Sequence, residues 1–524
     1  MTHPVLVAGR WRAAQASGTF RPENPATRQP LEEYPVSTWA DCEEALAAAS
    51  EAFTQMRRLP DAARADFLEA LAASIESRAD QIVAQAHQET ALPVAPRLAQ
   101  AELPRTTDQL RQAAQAAREG SWALPTIDTK NQIRSMLAPL GPVVVLGPNN
   151  FPLAFNSVAG GDFAAAIAAG NPVIAKANSS HPGTTRLLAE AAWEALQRSG
   201  MPPASVQLLY RLAHEDGERL VADRRVGATA YTGSRAAGLK LKAAADRAGK
   251  PIYLELSSVN PVIILPGALK ERRDEIASQF ATSCLMGAGQ FCTNPGLVLL
   301  LAGDETERFI EAVVERFKAT PPGTLLSAGV MQSLAQSISA LIRAGAHTVL
   351  GGRPAATGGY AHANTLLRVT GSQFLEAPQA LQTEAFGNAS LLVVAEDLDE
   401  LCRVVDELEG NLTGCLYTHS GGLDDAAYDQ LAPRLRQKVG RLLNDKMPTG
   451  VVVSPAMNHG GPFPATGHPG FTAVGIPASL RRFAMLQCFD HVRPHRLPPL
   501  LQDKNPTGRT WRWIDGRWTT DDVA

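Results

Sequence analysis

Cysteine is scarce in this chain, charge is low and long apolar runs are missing. The 524 residues hold six cysteines, Cys42, Cys284, Cys292, Cys402, Cys415 and Cys488, with no CxxC pair and no zinc-ligand spacing. No metal centre is expected, and so sparse a set of thiols fits a reducing compartment. Charged residues make up 19%, below the ~25% usual for globular chains, and the formal net charge is -3 without basic runs. That leaves no footprint for nucleic acid or an anionic membrane. No apolar run approaches the ~18 residues of a membrane span, and Met1 to Pro4 lead straight into Val5-Leu6-Val7 without a basic segment and a long apolar one. A cytoplasmic location is expected. Neither GxGxxG nor GxSxG occurs, so the commonest sequence arguments for a dinucleotide site and for a serine hydrolase both fail.

Apolar residues, at 45%, allow large cores, and the length calls for two or three domains at ~100–200 residues each. Helical spacing runs through Ala62 to Leu92, where Phe67, Leu71 and Ile75 mark a buried face, and again through Arg105 to Arg118 before Gly120. From Pro142 short apolar runs alternate with helix-length segments as far as Leu256. These read as βαβ units around a parallel sheet covered on both faces. A second α/β unit follows from Val262 to about Gly475. Near the end, Trp511-Arg512-Trp513-Ile514-Asp515-Gly516-Arg517-Trp518 carries the Asp-Gly signal of a hairpin.

Chemistry centres on Gly287-Ala288-Gly289-Gln290-Phe291-Cys292-Thr293-Asn294-Pro295-Gly296. Cys292 stands on a loop between a helical run (Glu271 to Met286) and a strand-like run (Leu297 to Leu301), a position that suits a nucleophile as well as a small buried hydrophobe. Around it in the chain lie Asn149-Asn150-Phe151-Pro152, Lys176-Ala177-Asn178-Ser179, Tyr231-Thr232-Gly233-Ser234, Leu254-Glu255-Leu256 and Thr383-Glu384-Ala385-Phe386-Gly387. A glutamate closing the apolar run Pro251 to Leu254 has no evident structural purpose. Thr232-Gly233-Ser234, ending a strand and opening a helix, offers free N–H groups to a pyrophosphate, though Ser is also an ordinary N-cap.

In order and separation these motifs resemble the aldehyde dehydrogenase superfamily over almost the whole chain. The resemblance implies an α/β fold with a Rossmann-like dinucleotide-binding domain (residues 1–127 and 142–256), an α/β catalytic domain (257–478), and a small β arm for oligomerisation with a C-terminal tail (128–141 and 479–524). It implies Cys292 as nucleophile, Glu255 as general base, and an oxyanion site made by the Asn150 side-chain amide and the Cys292 N–H. Asn149 departs from the family, which more often has an aromatic there. Lys176 and Glu384 match residues that hold the two riboses of the dinucleotide, Gly233 and Ser234 stand at the pyrophosphate turn, and Phe386 matches a residue near the nicotinamide. A homodimer or homotetramer is also implied.

The stretches around Glu255, Cys292, Asn150 and His459-Gly460-Gly461-Pro462 look like the NADP-type branch that includes 2-oxoglutarate semialdehyde (2,5-dioxopentanoate) dehydrogenases. Many NAD-preferring relatives carry a glutamate where this chain has Ser179, so NADP is expected to be preferred with NAD still accepted. Candidate substrate contacts are Phe151, Phe155 and Arg111. Arg105 or Arg111 can bind a substrate carboxylate, or simply face solvent. Three rival readings remain open from sequence. One is a coenzyme A-acylating aldehyde dehydrogenase, against which Glu255 argues. The second is a thiol hydrolase or acyltransferase pairing Cys292 with His459, and the third is a binding protein with an idle pocket.

Overall fold

The computed structural model describes residues 2–523. Three large β-sheets organise it, beside a two-stranded one of Ala16–Phe20 and Tyr34–Ser37. In the first, seven strands run in the order Ile252–Glu255, Ala228–Thr232, Val143–Leu146, Val173–Lys176, Val206–Leu209, Val5–Val7 and Arg10–Arg12. The first five are mutually parallel, and the N-terminal hairpin closes the far edge antiparallel. Val143, Val144 and Val145 are buried without alternation, as a sheet covered on both faces requires. Helices such as Gly161–Ala168 and Pro182–Ser199 provide that cover.

The second sheet also has seven strands, in the order His347–Leu350, Thr365–Thr370, Ala389–Ala395, Leu297–Leu301, Val262–Ile264, Asn411–Tyr417 and Val439–Asn444. All are parallel except His347–Leu350, which joins antiparallel at the edge. Separate apolar clusters line its two faces. The third sheet gathers distant pieces: Ala484–Asp490, Ile133–Pro139, Thr126–Asp128, Arg512–Ile514 and Arg517–Thr519. Its last two strands form the hairpin signalled by Asp515-Gly516, whose φ angles of 44° and 88° are those of a type I′ turn.

Two helical readings are refined. The spacing from Ala62 to Leu92 is divided between Asp61–Ser77 and Ala79–Thr90, because Arg78 leaves helical angles (φ -114, ψ 16) and turns its guanidinium to Glu190 and Glu194 on helix Pro182–Ser199. The helix before the nucleophile loop spans Pro266–Leu285, with a break at Arg272 (φ -147, ψ 37). No helix among the described residues is long and apolar enough to cross a membrane.

Candidate active site

Glu255 is the last residue of the strand Ile252–Glu255, at the edge of the first sheet. A C-terminal loop is stitched to it. The Leu256 N–H donates to Ala465 O at 2.8 Å and the Gly467 N–H to Leu254 O at 3.1 Å. The same loop is closed on itself by His459 N–H to Thr472 Oγ1 and Ala473 N–H to His459 O. Gly461 permits this path, since a Cβ there would stand 2.2 Å from Asn411 O. His459 is thereby brought over Glu255, with Nε2 at 2.9 Å from Oε1.

Cys292 arrives from the other side. After the helix Pro266–Leu285, Gly287, Ala288 and Gly289 all take positive φ (56°, 57° and 70°) and reverse the chain. A Cβ on Gly289 would lie 2.1 Å from Gly387 O, so only glycine passes at this approach. Asn260 then fixes the nucleophile loop, its side-chain amide donating to Cys292 O and to Asn294 O, each at 2.9 Å. The result puts Cys292 Sγ 3.4 Å from His459 Nε2. Burial pushes the Cys292 thiol well above its ordinary value, the charge of Glu255 adds to this, and Arg105 opposes it. A neutral resting thiol follows.

The expected oxyanion donors flank this thiol. Asn150 is buried and lines the same cleft as Cys292. One of its amide hydrogens is used on Gln290 O at 3.0 Å, leaving the other. The Cys292 N–H finds no acceptor among the described residues.

Phe151, Phe155 and Phe291 pack edge-to-face beside the thiol loop, with Phe151 5.2 Å from Phe155 and 5.5 Å from Phe291. Two arginines reach these rings. Arg97 stacks on Phe151 at 4.1 Å, donates to Asn150 O and pairs with buried Glu102 at 3.3 Å, so its charge is compensated. Arg105 lies 5.1 Å from the Phe155 centroid and 5.8 Å from that of Phe151. Its Nε and Nη2 are buried without a partner. Burial lowers its pKa, while Glu102, Cys292 and Glu255 pull the other way.

Arg111 is not brought to the site. It lies one turn and a half further along helix Leu103–Glu119, on the outer face, where both its terminal nitrogens are taken by Glu76 at 2.6 and 2.7 Å. Of the two arginines Arg105 alone reaches Phe151 and Phe155, and the helical spacing explains why only one of the two faces inward.

A cleft of about 490 Å³ runs from Pro148–Asn150 past Thr232, Gly233 and Ser234 to Glu255, Cys292, Glu384 and Phe386. It opens at the carboxyl ends of the parallel strands, where open α/β sheets bind ligands. Ser234 caps helix Arg235–Arg247, accepting from the Ala237 N–H at 3.4 Å. The Gly233 N–H is already spent on Glu255 O, leaving the first helical N–H groups for an anion. Glu384 is pushed up to about 7 by burial, held back by hydrogen bonds from Ser257 and Ser258. Lys176 ends its strand with no carboxylate partner among the described residues, and burial, followed by the like charge of Arg211, lowers it to about 8. Arg211 Nε donates to Ser179 Oγ at 3.2 Å. Lys176, Arg211 and Ser179 thus gather two cations and a hydroxyl, with no acid paired to either cation among the described residues.

The sequence offers His459 only as a partner of Cys292 in the hydrolase reading, and the two do meet at 3.4 Å; nothing local shows that its loop also returns to Glu255. Asn260 and Asn411 carry no local signal of their role: Asn411 Oδ1 accepts from the Val259 and Asn260 N–H groups across 152 and 151 positions of chain.

A family model described as "Aldehyde dehydrogenase family" matches residues 11–451. The alpha-ketoglutaric semialdehyde dehydrogenase 2 of Azospirillum brasilense is 40% identical over 514 residues, 96% of this chain and 97% of that protein. The alpha-ketoglutaric semialdehyde dehydrogenase of Acinetobacter baylyi is 35% identical over 492 residues, 92% of each. Among solved structures, PnpE from Pseudomonas sp. WBC-3, also crystallised with nicotinamide adenine dinucleotide, superposes with a TM-score of 0.80 at 22% identity, covering 95% of this chain and 100% of that one. At that identity the likeness carries the fold alone.

Proposed function

The chain belongs to the aldehyde dehydrogenase family, and we propose that it oxidises a semialdehyde with a distal carboxylate, such as 2-oxoglutarate semialdehyde, to the acid, with NADP preferred over NAD. The observation that carries the substrate reading is half-buried Arg105, whose Nε and Nη2 are buried without a hydrogen-bond partner, beside Phe155 and within electrostatic reach of Cys292. A buried charge without a partner is costly. A substrate carboxylate supplies the partner, with the carbon chain lying along the phenylalanines. The names of the Azospirillum and Acinetobacter relatives point to the same substrate.

In this reading Cys292 adds to the aldehyde carbon, and the Asn150 amide with the Cys292 N–H holds the oxygen as it gains charge. Each such donor is worth ~2.7–4 kcal/mol in the transition state. A bound dinucleotide supplies the hydride acceptor. The thioester left on Cys292 is then hydrolysed by water that gives its proton to Glu255. Lys176, Arg211 and Ser179 support NADP, because a 2′-phosphate meets cations and a donor with no carboxylate against it. The exposed apolar side chains of Met485 (48%) and Leu486 (66%) on the edge strand Ala484–Asp490 favour a homo-oligomer. A cytoplasmic location fits the six unpaired cysteines.

The test is a comparison of 2-oxoglutarate semialdehyde, succinate semialdehyde and butanal with NADP. The acids are expected to exceed butanal in kcat/KM by at least tenfold. Arg105→Leu should remove that margin, since a charged hydrogen bond contributes about 1.5–3 kcal/mol. Equal kcat/KM for all three in the unmodified enzyme would overturn the carboxylate reading.

A further inference from the structure

One side chain at the reacting centre has no part in the chemistry above. His459 is 1% exposed, and its Nε2 stands between the two groups that must become anionic in turn, 2.9 Å from Glu255 Oε1 and 3.4 Å from Cys292 Sγ. Its Nδ1 is buried and has no partner among the described residues, and so is Glu255 Oε2. A buried nitrogen without an acceptor is better left as a lone pair than as an N–H. The hydrogen therefore belongs on Nε2, where Glu255 accepts it.

We propose that His459 is a positioning residue whose single Nε2–H bonds whichever of Glu255 and Cys292 carries the negative charge. The inference rests on the aldehyde-oxidising reading and adds a residue to it. With the thiol protonated, the N–H is held by the Glu255 carboxylate. When the Sγ–H bond breaks, its electron pair stays on sulfur and the proton goes to the Glu255 carboxylate. The N–H then turns to the thiolate. Sulfur next bonds the aldehyde carbon and the carbonyl pair moves to oxygen. Glu255 loses its proton to solvent and takes the N–H back. The thioester forms when the oxygen's pair re-forms the carbonyl and the hydride leaves carbon for the nicotinamide that a bound dinucleotide would supply. In hydrolysis water gives a proton to Glu255, its oxygen bonds the thioester carbon as the carbonyl pair moves to oxygen, and return of that pair expels the carbon–sulfur pair onto Cys292, which recovers the N–H. The imidazole stays neutral throughout and carries no proton from one group to the other.

The geometry distinguishes this from a base. An imidazole that accepted the thiol proton would need Nε2 bare and Nδ1–H buried against nothing, and it would then turn a lone pair toward the Glu255 carboxylate at 2.9 Å. The other charged groups bearing on the thiol are Arg105, Glu384 and Arg441. Arg441 is committed to Gly450 O and Pro448 O. None of the three bridges sulfur and carboxylate.

The experiment is the pH dependence of Cys292 alkylation by iodoacetamide in the full chain without aldehyde or dinucleotide, for the unmodified protein, His459→Phe and His459→Gln. Glutamine can present an amide N–H near the Nε2 position, whereas phenylalanine presents none. The expected result is an alkylation midpoint about one unit higher in His459→Phe, with roughly tenfold slower labelling at pH 7, and substantial recovery in His459→Gln. Unchanged NADP binding in both variants checks that the fold is intact. Superimposable profiles for all three proteins would overturn the proposal. So would a thiolate plateau reaching below pH 6 in the unmodified protein that neither variant retains, because that signature belongs to an imidazolium–thiolate pair. Alkylation consumes no aldehyde, so failure of the proposed substrate reading would show in turnover alone and leave this result standing.

Discussion

Asn260 and Cys292 are joined by a 2.9 Å hydrogen bond from the asparagine amide to the cysteine carbonyl, and the same amide holds Asn294 O at 2.9 Å. Asn260 itself sits at φ 49°, and its Oδ1 accepts from Ser258 and Thr413 hydroxyls. Asparagine and aspartate tolerate this backbone region better than other side chains. Asn260→Asp therefore keeps the shape and sets a carboxylate against two carbonyls. We expect kcat to fall at least tenfold and Tm by several degrees, from about 1–3 kcal/mol of unsatisfied buried groups. Dinucleotide affinity should not change. Wild-type kcat in this variant would remove Asn260 from the support of the nucleophile.

Glu255→Gln separates the two half-reactions. Thioester formation needs a thiolate, which solvent can generate slowly, whereas hydrolysis needs a base at the water. Mixing enzyme with NADP and aldehyde should give a burst of NADPH close to one per site, slower than in the unmodified enzyme, followed by negligible turnover. The burst should speed up as pH rises, since burial holds the Cys292 thiol well above its ordinary value. A variant with steady turnover near normal would take the base role from Glu255. Cys292→Ala should show neither phase, and Cys42→Ala or Cys488→Ala should show both.

Much of this site is legible in the sequence because its parts lie at element ends. Glu255 closes an apolar strand, Lys176 closes another, and Cys292 sits between a helix and a strand, so local pattern alone suggests where each stands. Arg105 and Arg111 show the limit. Six residues apart on one helix, they face different neighbours, and only the packing against Phe151 and Phe155 tells them apart. His459 and Asn411 fall further outside, since their partners Glu255 and Val259 are 204 and 152 positions away and no periodicity encodes such a return. The third sheet is similar: its hairpin is announced by Asp515-Gly516, but its parallel pairing with Thr126–Asp128 is not.

The dinucleotide preference should itself depend on pH, through Lys176. Burial first, and then the like charge of Arg211, lowers this lysine to about 8, so it is charged below that pH and neutral above it. A 2′-phosphate needs the charged form. With that midpoint the charged fraction falls about tenfold between pH 7 and pH 9, and the Kd for NADP should rise by a similar factor, while that for NAD changes little. Lys176→Met should flatten the profile. Ser179→Glu acts on the same phosphate by repulsion. Two unit charges ~4 Å apart at an effective dielectric of ~20 interact by ~4 kcal/mol, up to roughly a thousandfold, although part of this is lost because Arg211, which donates to Ser179, would pair with the new carboxylate. The expected outcome is a reversal of preference carried by the KM for NADP, with kcat for NAD near normal. If kcat/KM for NAD exceeds that for NADP before any substitution, the cationic pair Lys176 and Arg211 does not serve a 2′-phosphate.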